Sequence, residues 1–339
     1  MRSIQFIGTQ RSGSNLLRVM LHQHPLICAP HPPHFLHILL PLVSMYGDVK
    51  DDANFYSMID DACTLAETNP VSWNLVFDRD EVRSRVRVRT LADVARVLYE
   101  IKAEAKGSGY WCCKSMANVH YIDKLGEAGI RPFFIYIFRD GRDVALSFRG
   151  TVIGEKHVYH LAQQWKKEQE LSLDICAAAG PGNSAIVRYE EFISGPEAAL
   201  KNICARIDVA YDPRMLAFNE SDESKETAAS GGMWSNVAKP VIRSNAGKFR
   251  SGLSAEDIRI FESVAGDMLG RLGYTPEFPA EERRSFTENE MFFFTEENRR
   301  MKREAKQNAS PSDIAHREKQ ETFIASLKEK YTNYVNTLA

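Results

Sequence analysis

Ile4-Gln5-Phe6-Ile7-Gly8-Thr9-Gln10-Arg11-Ser12-Gly13-Ser14-Asn15 opens as a short apolar strand and runs into a loop carrying two glycines. A helix follows, because Leu16, Leu17, Met20 and Leu21 recur on one helical face until Pro25 forces His24 out of the helical region. In a loop that joins a strand to a helix in this way, successive backbone N–H groups and the helix N-terminus form an anion cradle. Phosphate is its expected occupant. The spacing from Gly8 to Gly13 equals that of the Walker A loop, but Ser14 and Asn15 stand where the Lys and Ser/Thr should follow.

Outward from this stretch, Pro132 to Phe138 is an unbroken apolar run, as expected of a parallel strand covered by helices on both faces. It ends in Arg139-Asp140-Gly141-Arg142-Asp143, after which Val144, Ala145 and Phe148 begin a helix. Ala185 to Tyr189 reads as a further strand, with Glu190 and Glu191 exposed beyond it. Strands alternating with helices predict an α/β fold: a P-loop-like doubly wound parallel sheet flanked by helices. Residues 51–106 carry helical periodicity. Arg83, Arg85, Arg87 and Arg89 alternate there as a solvated face, with an anion-contacting patch as the alternative. Asn219 to Asn245, rich in Ser, Gly, Ala and charge, reads as a mobile loop.

Residues 280–339 hold 11 basic and 11 acidic residues with few apolar anchors, among them Phe323, Leu327 and Tyr331. The expected division is a domain over 1–275 and a charged, mainly helical C-terminal extension over 276–339. That extension is a candidate to pack on its own domain, to close the pocket, or to form a homodimer.

A nucleotide hydrolase needs a lysine on the terminal phosphates and an acidic metal ligand at the end of an apolar strand. Here that strand ends in Arg139, which would repel Mg²⁺ and bind a second phosphate directly. The sheet thus offers two anion sites and no metal site. A ligand phosphorylated on both a 5′ and a 3′ oxygen would fill both.

Composition agrees with a small anionic ligand and not with a polyanion. The 339 residues carry 43 Lys plus Arg against 45 Asp plus Glu, a formal net charge of −2, so no global field exists to hold nucleic acid. The longest apolar stretch, Phe35 to Met45, is too short for a bilayer core of roughly 30 Å. The N-terminus lacks the pattern of a secretory signal, and the six cysteines form no Cys-x-x-Cys pair; a cytoplasmic address with reduced, mostly buried thiols is expected.

On these residues the chain resembles the sulfotransferases that use 3′-phosphoadenosine 5′-phosphosulfate (PAPS). In that family an Arg/Lys-Ser-Gly-Ser/Thr strand-loop-helix holds the 5′-phosphosulfate, and Arg11-Ser12-Gly13-Ser14-Asn15 matches it. A strand-end Arg and a Ser eight residues later hold the 3′-phosphate; Arg139 and Ser147 stand at that spacing. Arg188-Tyr189 looks like the family's nucleoside-contacting strand, with Tyr189 on the nucleoside. Gly247-Lys248-Phe249-Arg250 looks like its late basic loop over the 3′-phosphate. The resemblance covers about residues 3 to 275. It implies PAPS as donor, no metal, and a small-molecule acceptor, with natural products and acyl chains favoured and carbohydrates and lipids open.

The resemblance also implies roles for the reacting residues. Arg11 would stabilise the leaving oxygen, with the Gly13 and Ser14 N–H groups. Cytosolic members supply a further cation and the base from Lys-Thr-His, where this chain has Lys114-Ser115-Met116. Lys114 keeps the cationic role and Met116 is no base. An imidazole must then come from elsewhere, and His31-Pro32-Pro33-His34 after the first helix is the candidate source, His34 ahead of His31. Other branches place a catalytic Glu in that neighbourhood, where this chain has no acid. His157 and His160 share a helical face with Gln164, with a surface role expected and contact with the acceptor as the alternative. Two competing readings are a P-loop small-molecule kinase and a non-catalytic nucleotide-binding scaffold.

Overall fold

The computed structural model describes residues 1–338. Strands β1 (Arg2–Ile7), β2 (Ile27–Cys28), β3 (Tyr110–Cys113), β4 (Phe133–Phe138) and β5 (Ser184–Arg188) form one parallel sheet in the order β2-β3-β1-β4-β5. The register sets Ile4 opposite Cys112 on one side and Phe133 on the other. Side chains alternate across the sheet with period two. Ile4, Phe6, Ile135 and Ile137 enter one core, while Ile7, Phe134, Tyr136 and Phe138 enter the core on the opposite face. Burial on both faces is why β4 has no charged position and one polar group, the Tyr136 hydroxyl, which donates to Gln169 Oε1 at 2.7 Å; the expected doubly wound α/β sheet is present.

Helix α1 (Ser14–His22) follows the first loop. Helices α2 (Phe35–Leu39), α3 (Asp52–Glu67), α4 (Arg79–Arg85) and α5 (Leu91–Lys106) precede β3, and α6 (Ile122–Glu127) precedes β4. Next come α7 (Gly141–Arg149) and α8 (Val158–Ala179) before β5, then α9 (Tyr189–Ser194), α10 (Pro196–Arg206) and α11 (Asp222–Ala229). The chain continues through α12 (Phe249–Gly252), α13 (Ala255–Arg271), α14 (Glu288–Gln307) and α15 (Pro311–Leu338). Helices α1, α9 and α10 cover one face of the sheet, α7, α8 and α13 the other, and α2 to α5 build a third core beside β2 and β3.

Several local readings change. The segment 219–245 is not an open loop: it contains α11 and a 3₁₀ turn over Gly232–Ala238. The buried Arg18 guanidinium of α1 anchors it through an ion pair to Glu223 and a 2.7 Å bond to Thr227 Oγ1. Glu190 is half-buried, not exposed, because it accepts from the Asp140 N–H at 3.1 Å and the Tyr274 hydroxyl at 2.8 Å. Tyr189 is the first residue of α9 and not the last of β5. Strands β2 and β3 are two and four residues long, too short to register as periodicity.

Arg83 and Arg89 pair with Asp52, and Arg85 with Glu104, so the arginine run clips α3, α4 and α5 together at the surface. The extension folds back: Leu327 is buried in the core beside β2 and β3, and Phe323 and Ile324 pack on it. All six cysteines are free and buried. Among the described residues no helix is long and apolar enough to cross a membrane.

Candidate functional site

In an open parallel sheet, ligands bind beyond the carboxyl ends of the strands, where the winding reverses. Here the chain winds from β1 out to β2 and β3, then crosses to β4, so the loops after β1, β3 and β4 meet at one end. A cavity of about 810 Å³ opens there.

The loop after β1 takes its shape from three left-handed residues: Gly8 (φ 116°), Arg11 (φ 70°) and Gly13 (φ 87°). Close contact requires both glycines. A Cβ on Gly8 would lie 2.3 Å from the Ile137 carbonyl oxygen, and one on Gly13 would lie 2.4 Å from the Tyr189 ring. Gly13 caps α1, whose free N–H groups therefore face the cavity end of the loop.

Arg11 and Arg139 come together across this loop. Arg139 Nη1 donates to the Arg11 carbonyl at 3.3 Å and Nη2 to the Asn245 carbonyl at 2.8 Å; its guanidinium lies 4.6 Å from the Tyr189 ring centre. Arg11 Nε donates to Ser147 Oγ at 3.1 Å. Burial, and next the Arg139 charge, pull Arg11 down to about 10. Ser12 Oγ and Arg139 Nε are buried with no hydrogen-bond partner among the described residues. Two like charges with orphaned donors beside an open backbone loop form a site whose electrostatics call for an anion.

Lys114, the first residue after β3, lines the same cavity. Burial, then Arg18 and Arg11, lower it to about 7. His34, left-handed at φ 64°, caps α2, and its Nδ1 lies 2.9 Å from Ser115 Oγ. Burial and then Lys114 push His34 down to about 3, so it is neutral at pH 7 and a weak base. His31 is buried with neither ring nitrogen hydrogen-bonded among the described residues, and its ring lies 4.7 Å from Trp234. Burial lowers it well below the ordinary histidine range.

Arg11, Gly13, Ser14, Asn15, His31, His34, Lys114, Arg139, Ser147, Tyr189 and Lys248 all line the cavity. Ser12, Phe249 and Arg250 lie off its wall. Phe249 is buried under the Arg142 guanidinium at 4.0 Å, and Arg250 pairs with Glu277 at 2.8 Å. Asp143 pins this loop, accepting from Gly247 N–H at 2.7 Å and Phe249 N–H at 2.9 Å. His157 is a buried cap of α8 stacked 4.6 Å from Phe294, and His160 meets Thr295; both face α14 and not the cavity.

The sequence singled out none of the residues behind three further contributions to the wall. Trp234 and Met233, from the segment read as loop, form part of the wall, and Arg11 Nη2 donates to the Met233 carbonyl at 3.3 Å. Arg317 and Gln320 of α15 reach the same cavity. His120 and Glu168 line it as a pair 3.5 Å apart. Forty-eight residues separate those two, and no local spacing signals the contact.

Comparison with known proteins bears on this geometry. A family model described as "Sulfotransferase family" matches residues 4–213, more than half of the chain. Protein-tyrosine sulfotransferase A of Caenorhabditis elegans is 27% identical over 276 residues, covering 79% of this chain; the chain spans 66% of that relative's length, just under two thirds. The sulfotransferase domain of the Synechococcus PCC 7002 olefin synthase has a TM-score of 0.51 at 20% identity, covering 77% of this chain and 93% of that one. The sulfotransferase domain from the curacin biosynthetic pathway gives 0.50 at 20% identity, covering 81% and 99%. At that identity the two structures speak to the fold alone.

Proposed function

Since this chain belongs to the sulfotransferase family, we propose that it moves the sulfuryl group of PAPS to a hydroxyl or amine of a small-molecule, natural-product or acyl-chain acceptor, without a metal. The observation that carries this reading is the pair of guanidinium groups beyond the ends of adjacent strands, both on the cavity wall, with Arg139 Nε buried and unpartnered among the described residues beside the glycine loop. A donor with phosphate on both 5′ and 3′ oxygens matches that donor set. A Mg²⁺-dependent nucleotide does not, because β4 ends in a cation and the loop lacks the Walker lysine.

When bound, the donor supplies a sulfuryl group on a 5′-phosphate leaving oxygen. The chain's part is positional and electrostatic. Arg11, the N–H groups of Gly13 and Ser14, and the Asn15 side chain cradle the 5′ end, with Ser12 packed behind the loop. Arg139, Ser147 and Lys248 hold the 3′-phosphate, Tyr189 meets the nucleoside, and Phe249 and Arg250 brace that loop from behind. Lys114 adds charge beside the leaving oxygen, and His31 and His34 supply neutral imidazole at the acceptor side. Residues 1–275 form the donor-binding domain. The 276–339 extension contributes Arg317 and Gln320 to the acceptor end, and we assign the protein to the cytoplasm, where its thiols stay reduced. The relative named a protein-tyrosine sulfotransferase marks a different acceptor, a tyrosine hydroxyl carried on a polypeptide, as the second reading.

Isothermal calorimetry with adenosine 3′,5′-bisphosphate tests the reading. Tight binding without Mg²⁺, followed by mass-spectrometric detection of sulfuryl addition in an acceptor pool of alcohols, phenols and amines, is expected. Mg²⁺-dependent ATP binding with none to the bisphosphate would overturn it.

A further inference from the structure

Transfer of a sulfuryl group to a hydroxyl releases a proton, and the site must offer a lone pair to receive it. Three carboxylates line the cavity: Asp143, Glu155 and Glu168. Both oxygens of Asp143 are occupied by the backbone N–H groups of Gly247 and Phe249, and its Oδ2 also lies 3.5 Å from Arg139 Nη2. Glu155 is committed to α14, accepting from Asn298 Nδ2 and from Lys302 Nζ at 3.2 Å. Glu168 is different. It is 6% exposed, its Oε1 accepts from Gln164 Nε2 at 3.0 Å and faces His120 Nε2 at 3.5 Å, and its Oε2 is buried with no hydrogen-bond partner among the described residues.

Helix α8 sets where that oxygen lies. Trp165 Nε1 donates to the Arg139 carbonyl at 3.2 Å, and one turn on, Gln169 Nε2 donates to Thr9 Oγ1 at 2.8 Å while its Oε1 accepts from the Tyr136 hydroxyl at 2.7 Å. Two consecutive turns of α8 are thus fastened to the two anion-binding strand ends. Gln164 and Glu168, each one residue earlier, share the neighbouring stripe and reach the cavity. The two imidazoles read from the sequence are less open: His34 Nδ1 already meets Ser115 Oγ at 2.9 Å, His31 packs against Trp234, and burial followed by Lys114 holds both low.

We propose that Glu168 is the catalytic base, its Oε2 taking the acceptor's proton while Gln164 and His120 hold Oε1. The proposal rests on the sulfuryl-transfer reading above. The acceptor O–H bond breaks with its proton going to Oε2, and the freed pair on the acceptor oxygen forms the new O–S bond. The pair of the S–O bond that breaks remains on the 5′-phosphate oxygen, beside Arg11 and Lys114. Charge balances without any co-reactant.

The test uses the full chain and an acceptor sulfated by the wild type. Glu168→Gln keeps size and Gln164 contact but has no basic oxygen. Its kcat should fall by roughly 10²- to 10⁴-fold, with acceptor KM and bisphosphate affinity by calorimetry within about threefold of wild type. His34→Ala should lose less. Wild-type kcat in Glu168→Gln, or a greater loss in His34→Ala, overturns the proposal. If Glu168→Gln does not fold, Glu168→Asp must show a partial kcat loss with unchanged bisphosphate affinity, and full kcat there overturns it. A wild-type protein that binds the bisphosphate but sulfates no acceptor refutes the sulfuryl-transfer premise itself, and this proposal with it.

Discussion

Replacing Arg139 by methionine tests the proposed assignment of this residue to a 3′-phosphate. The side chain keeps its approximate volume over the Tyr189 ring, from which the guanidinium now lies 4.6 Å, but the charge and the bonds to the Arg11 and Asn245 carbonyls disappear. A hydrogen bond to a charged group contributes about 1.5–3 kcal/mol, so adenosine 3′,5′-bisphosphate should bind roughly 10- to 100-fold more weakly. Adenosine 5′-monophosphate, with no 3′-phosphate, should lose little. Removing the charge relieves Arg11, which Arg139 helps to lower, but it also takes the cation 3.5 Å from the fully buried Asp143 carboxylate, so the unliganded variant should be less stable than wild type and the ligand effect is read as a difference against each unliganded protein. At a bisphosphate concentration one hundred times the wild-type Kd, the ligand stabilises wild type by about 2.7 kcal/mol and the variant by only about 0.4–1.4 kcal/mol. Calorimetry and thermal melts with both nucleotides give these quantities directly. Equal losses for the bisphosphate and the monophosphate would refute the assignment of Arg139 to the 3′ position, and no loss for either would refute its place in the site.

Gly13→Ala should destabilise the chain by about 1–3 kcal/mol in urea denaturation, because φ is 87° and the new Cβ meets the Tyr189 ring at 2.4 Å; Gly107→Ala, also at positive φ but with nothing within 4 Å, should cost less. Lys114, lowered from 10.5 to about 7 by burial and neighbouring cations, makes the stability of the unliganded chain depend on pH. Below pH 7 both states hold the proton and the fold bears the full cost of the buried cation. Above pH 7 the folded state releases it first, so stability rises by up to about 1.4 kcal/mol per unit until the unfolded value is reached. Lys106 and Lys156, each lowered to about 8, add to the slope only from there upward, so Lys114→Met should flatten the pH 7–8 portion of a urea-midpoint profile.

The elements legible in the sequence are those whose chemistry is local. The Gly8–Asn15 loop could be read because a strand, two glycines and a helix start must follow one another in the chain to make a cradle. Arg139 could be read because β4 is buried on both faces, leaving an apolar run whose first charged residue marks the strand's end. Strands β2 and β3 could not, since two and four residues show no period, and they pair only because β1 is beside them. The 219–245 segment failed for another reason: its composition is that of a loop, but Arg18, buried far upstream in α1, supplies the ion pair that holds α11.

The sequence by itself determined the parallel sheet, the cations Arg11 and Arg139 beyond the ends of β1 and β4, and the absence of a Walker lysine, since each depends on residues adjacent in the chain or on one strand's burial. The tertiary structure decided the rest of the cavity. It brought Glu168 to His120, seated Trp234 against His31, paired Arg250 away from the wall, and returned Arg317 and Gln320 from the extension to the site. The physical reason is that these contacts come from helices docking on the sheet. Which face of α8 or α15 turns inward is set by packing across tens or hundreds of residues, and that information has no period along the chain.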